Sequence, residues 1–256
     1  MSWRKMEAVV RRDLYEMRSS RLLAVWGLFG AVQCLLMMVS KAQGRIEDTS
    51  VIFWLGGVVG VIVGFDIIAR EREHRTLDLL LTQGISRPAL FAAKWGATLI
   101  LCAGAAGSAL VGGVVGAAIS GKMLIWGDFL VEFGMVFFLL EVYATLGLLC
   151  SVVFRRGKWA LTAAAVAWGI LRPPVVAMLL IKPLESALHW SKGQVWQVVA
   201  LVPEFAFRMG LDGQRGVPED VVLPMGLPYV ALAVYVIVFS VAAGLVFVRQ
   251  DEPVVE

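Results

Sequence analysis

Apolar residues gather into six runs, 22–39, 51–69, 96–119, 129–153, 159–181 and 229–248, and most charged residues fall in the connections between them. A helix needs about 20 mostly apolar residues to cross the hydrocarbon core of a bilayer, so each run predicts one crossing. Within two of the runs small residues recur at helical spacing: Gly56, Gly60 and Gly64 in the second, and Gly104, Ser108, Gly112, Gly116 and Ser120 in the third. Such stripes let two helices approach closely where lipid surrounds both, and internal packing is their ordinary use; a seam between two copies is the sharper alternative. Before the first run, Trp3, Met6, Val10, Leu14 and Met17 recur on one helical face, while Arg4, Arg11 and Arg18 lie on another. That pattern predicts an interfacial helix over residues 1–21, its arginines meeting anionic lipid; the alternative is a basic leader that only enforces topology.

Composition strengthens this picture. The chain is 59% hydrophobic and 17% charged, with a mean hydropathy of +0.79, which excludes an ordinary soluble globular domain. It reads as an all-α integral membrane protein, residues 1–256 forming one transmembrane domain. A net charge of +3, confined to membrane flanks, gives no reason to expect a nucleic-acid partner. Cys34, Cys102 and Cys150 all fall inside apolar runs, where they read as small packing residues, and His74 and His189 are far apart. Neither metal nor redox chemistry is indicated.

Lys and Arg crowd residues 1–21, the connection 70–95 and the turn Arg155-Arg156-Gly157-Lys158, and are sparser in the other connections. The positive-inside rule places the crowded segments in the cytoplasm, giving six crossings with both termini cytoplasmic. Ser40-Lys41-Ala42 resembles a signal-peptidase site, but the apolar stretch and basic leader before it are long, which favours a signal-anchor. Residues 182–228 interleave Trp190, Trp196, Leu201, Phe205 and Phe207 with charges and are divided by Pro203, Gly210, Gly213, Pro218 and Pro224. They predict an external loop of short interfacial helices.

Four acidic or basic residues interrupt the apolar runs. Glu141 lies twelve residues before Val153, and Arg172 thirteen after Trp159, so both would sit at nearly equal depth on antiparallel neighbours. A charge at that depth costs about 3 kcal/mol or more unless paired or wetted. An ion pair between them is the expectation, either fixing register or lining a path, and Pro173-Pro174 breaks the helix beside Arg172. Asp66 is a second-tier site, and Glu132 reads as a boundary residue. The stretch 116–122 imitates the start of a phosphate-binding loop, but Met123 stands where Ser or Thr should hold magnesium and no strand is predicted before it. No metalloprotease pair, nucleophile elbow or CxxC pair occurs.

The densest charged, amphipathic segment is 69–95, with Glu71-Arg72-Glu73-His74-Arg75-Thr76-Leu77-Asp78-Leu79-Leu80-Leu81, then Ser86-Arg87 and Lys94. Together with Arg11-Arg12-Asp13-Leu14 and Arg18-Ser19-Ser20-Arg21 before the first run, it resembles the permeases of ABC-2 type transporters. Leu201-Val202-Pro203 with Phe205 and Gly210, and Arg249-Gln250-Asp251 near the end, extend the likeness thinly over most of the chain. Arg75 stands where that family commonly has Gly, Asp78 where Glu is common, and Gly84-Ile85 where a pair such as Pro-Val is common.

The resemblance implies six transmembrane helices and a cytoplasmic coupling helix in a bacterial cytoplasmic-membrane exporter. It implies dimerisation with a second permease subunit, identical or related, and a separate ABC ATP-binding subunit holding ATP and Mg, with no cofactor in this chain. The residues expected to grip that ATPase are Glu71, Glu73, Arg75, Thr76, Leu77, Leu80 and Arg87. The bland reading of the same segment is a solvated topogenic loop. Two other functions keep the same architecture: transmission of ATP-driven motion to an extracytoplasmic protein through residues 182–228, or an ion-coupled carrier built on Glu141, Arg172 and Asp66.

Overall fold

Backbone hydrogen bonds cannot be left open in hydrocarbon, and helices satisfy them within one segment; the chain uses helices throughout what the structure describes. The computed structural model describes residues 7–11, 22–39, 50–73, 76–82, 84–123, 126–154, 156–171, 202–203, 206 and 226–249. Among them the helices are α1 (Leu22–Val39), α2 (Ser50–Glu73), α3 (Thr76–Thr82), α4 (Arg87–Ser120), α5 (Trp126–Val153), α6 (Gly157–Ile170) and α7 (Leu227–Arg249), with no strand among the described residues. Three reach membrane-crossing length and apolarity, Arg87–Ser120, Phe129–Val153 and Leu227–Arg249, and Trp26–Val39 and Leu55–Ala69 are shorter apolar helices.

The central helix is α5. Over its most apolar stretch 78% is buried, against 44% for α4 and 22% for α7, so α5 makes the core while α7 turns much of its surface outward. It packs chiefly against α2 and α7, then α4 and α6, while α1 lies along α4. The outer surface is apolar: Val111, Val115 and Ile119 on α4, and Val230, Val234, Ile237 and Val241 on α7, are all exposed. A continuous greasy exterior of this kind belongs in lipid.

The glycine stripes serve internal packing. A methyl group at Gly64 would run into the backbone of Ala144 on α5, and one at Gly112 into the backbone of Gly30 on α1. The contact between α2 and α5 is reciprocal, since Gly147 faces the carbonyl of Val61 in the same way. Two pairs of helices thus meet backbone to backbone, where van der Waals contact holds them together.

α2 runs four residues past its apolar run, to Glu73, and two helices depart further from the hydropathy pattern. The third run, 96–119, is only part of α4, which begins at Arg87 and spans 34 residues; at about 1.5 Å per residue that is about 50 Å, well beyond a hydrocarbon core of about 30 Å. A helix continues past the end of an apolar stretch wherever its backbone is unobstructed, and here Ser86 adopts an extended cap conformation with Pro88 in the first turn. At its other end α4 stops at Gly121, whose left-handed conformation (φ 65°) suits a glycine cap; this is the stretch that imitates a phosphate-binding loop. The fifth run, 159–181, begins within α6, which ends at Ile170, and its remainder lies outside the described residues. So do most of the 182–228 loop and of the 1–21 segment.

Candidate functional site

The segment 70–95 is not one solvated loop. It divides into the last turn of α2, the short helix α3, a turn through Gly84 at φ 75°, and the first two turns of α4. α3 has an apolar side at Leu77, Leu80 and Leu81, and a seven-residue helix cannot hold its own shape in water. It is held by burial: Leu77 and Leu80, with Ile85 of the following turn, enter a second apolar cluster with Ile67, Ile68, Leu90, Leu148 and Phe247. Val9 of the N-terminal helical stretch joins the same cluster, so that stretch rests partly on protein.

Beside this cluster lies a buried ion pair. Lys94 Nζ donates to Glu71 Oε1 at 2.6 Å, with the two side chains 1% and 7% exposed. A pair so desolvated fixes geometry, because removing either partner leaves a buried charge without its counter-ion. It ties the end of α2 to the beginning of α4 across the whole intervening segment. One residue on, Arg72 Nη1 donates to the carbonyls of Ser151 at 2.9 Å and Val152 at 3.2 Å. Those carbonyls end α5, where the helix dipole presents partial negative charge and the last acceptors lack partners within the helix. Thr76 Oγ1 closes the α2–α3 junction by donating to the Glu71 carbonyl at 3.2 Å.

Adjacent residues of α2 therefore grip α4 and α5, and the leucines of α3 share an apolar cluster with Leu90 of α4 and Leu148 of α5. At the opposite end a smaller contact has the same form: Lys122 Nζ donates to the Met37 carbonyl at 2.6 Å, tying the segment after α4 to the end of α1.

The residues expected to grip a partner are therefore dispersed in role. Glu71, Leu77 and Leu80 face this chain's own core, and Thr76 is half-buried. Arg87 is half-exposed at the start of α4, between exposed Ser86 and Pro88. Glu73 belongs to α2, but its side chain, like that of Asp66, is outside what is described, and Arg75 and Arg172 lie outside the described residues altogether. The Glu141–Arg172 pairing is accordingly not visible here. Glu141 itself is buried in the middle of α5, and the Cys102 thiol of α4 faces its carboxylate.

Two contacts of this segment escaped sequence reasoning, the capping of α5 by Arg72 and the Glu71–Lys94 pair. The available signal was the position of Glu71 and Lys94, opposite charges just beyond or just before apolar runs on either side of one connection.

A search of curated proteins found no significant match. The model of the family described as ABC-2 family transporter protein matches residues 23–251, covering every helix from α1 to α7 save its first residue. With that match and an apolar multi-helix bundle whose basic end is clamped around a short helix, the chain belongs to the ABC-2 family of transporter membrane proteins.

Proposed function

We propose that this chain is the permease subunit of an ATP-driven exporter in a bacterial cytoplasmic membrane. In this reading six helices cross the membrane with both termini in the cytoplasm, and two permease subunits, identical or related, form the path. A separate ABC ATP-binding subunit, carrying ATP and Mg, docks on α3 and the turn that follows it. The carrying observation is the clamp: a short helix, anchored by Leu77 and Leu80 and flanked by Glu71–Lys94 and Arg72, gives an external push a rigid route into α2, α4 and α5. A solvated topogenic loop has no need of a buried ion pair or of a base capping a distant helix.

Docking falls to the side of this element that the bundle leaves uncovered, represented by Gly84, Ser86, Arg87 and Pro88. Arg87 and the uncapped N–H groups of the first turn of α4 make that surface positive, which suits an acidic patch on the ATPase. Glu71, Thr76, Leu77 and Leu80 act by shaping the element from inside.

The test is copurification of the two subunits from membranes expressing both. Ser86→Trp combined with Arg87→Glu should reduce ATPase recovery several-fold while permease abundance and melting stay at parental values. Full ATPase recovery with this pair of changes would remove the docking assignment.

A further inference from the structure

The middle of α5 holds a group that the clamp leaves unused. Glu141 and Cys102 are each 1% exposed. Neither carboxylate oxygen has a nitrogen or oxygen hydrogen-bond partner among the described residues. Thr145, one turn further along the helix, is spent on backbone, donating to the carbonyls of Glu141 at 2.7 Å and Val142 at 3.0 Å. What faces the carboxylate is the Cys102 thiol, a weak donor. No other charged or titratable side chain among the described residues of α2, α4, α6 or α7 acts on it.

Two states are open to such a carboxyl group. As an anion it would carry a full charge among Leu139, Leu140, Val142 and Ala144, all buried, and a thiol cannot replace the hydration lost. As a neutral acid it forfeits only hydrogen bonds, a much smaller cost. One turn further along the α4–α5 seam, Ala106, Ala109 and Val136 line a small cavity with Phe129 and Gln33.

We propose that Glu141, with Cys102 beside it, is a proton-binding site in the core of the bundle, occupied in this conformation and emptied when α4 and α5 part far enough to admit water. On release the O–H bond breaks, its electron pair stays on the carboxylate, and the proton passes to water. Acidic conditions then favour the tightly packed conformation. As pH rises, the conformation in which Glu141 is wet gains population. This goes beyond the docking assignment and does not depend on it.

Infrared difference spectroscopy on the full chain in membrane vesicles, taken between the parent and Glu141→Gln, reads the protonation state directly. At neutral pH the parent should show the carbonyl stretch of a carboxylic acid, downshifted in heavy water and absent in the variant, and Cys102→Ala should shift its frequency. Glu141→Gln should accumulate and melt like the parent, since the amide replaces a neutral acid of the same shape. Carboxylate stretches in place of the acid band would overturn the proposal. So would a loss of folded Glu141→Gln that a second change, Arg172→Gln, repairs, because that identifies an ion pair. Should Glu141→Gln fail to accumulate for another reason, the acid band in the Cys102→Ala protein still decides: its presence supports the site and its absence refutes it.

Discussion

Lys94 occupies a helix interior with almost no exposure, and Glu71 meets it there at 2.6 Å. Lys94→Met takes the ammonium away from the buried Glu71 carboxylate and should cost about 3 to 5 kcal/mol, read as a fall in the melting temperature of the detergent-solubilised chain. Adding Glu71→Leu should restore most of that loss, since an apolar pair avoids desolvating two charges. If the double variant melts no higher than the single one, the two residues do not act as a pair. Arg72 is a milder case. Arg72→Leu removes the cap on α5 and should cost about 1 to 2 kcal/mol, with greater fraying of α5 near Ser151 in amide exchange than of α7.

At the scale of elements, glycines with and without a neighbour act as internal controls. Gly112 meets the backbone of Gly30, whereas Gly107 on the same helix has nothing among the described residues within contact distance of a methyl group. Gly112→Ala should force α1 and α4 apart and lower stability by about 1 to 3 kcal/mol. Gly107→Ala should be neutral or stabilising, because alanine is the better helix former by about 1 kcal/mol. Equal effects at the two positions would mean that the stripe does not seat α1.

The helix ends show how far such patterns reach. The run 22–39 coincides with α1, and 129–153 and 229–248 fall just inside α5 and α7, because there the apolar stretch and the helix stop together. α4 outran its hydropathy by beginning at Arg87 instead of residue 96. Arg87 and Lys94 interrupt the apolar pattern of its first two turns, whose Leu90 and Ala93 are buried in the bundle and whose Phe91 packs on Phe247 of α7.

For the whole molecule, the testable property is which end faces which compartment. Ser86 is exposed at the clamped end and Met123 at the other. In a chain with Cys34, Cys102 and Cys150 replaced, Ser86→Cys should react with a membrane-impermeant maleimide only in broken cells. Met123→Cys should react in intact ones. The reverse pattern would place the clamp outside and leave it unable to meet a cytoplasmic ATPase.

Residence in a membrane was decided by the sequence alone. Transfer of apolar residues into lipid is a nearly additive property of consecutive positions, and each run carries it without reference to any other. The charged segment between the second and third runs was likewise visible as the unusual feature of the chain. Its internal arrangement was not. Glu71 and Thr76 were named for an outward grip, yet Glu71 turns inward to Lys94, twenty-three residues away. Arg72 reaches a helix end seventy-nine residues away. Which charge meets which, which side of α3 is covered, and which glycines touch backbone all depend on how helices pack across such separations, and only the assembled bundle brings those groups within bonding distance.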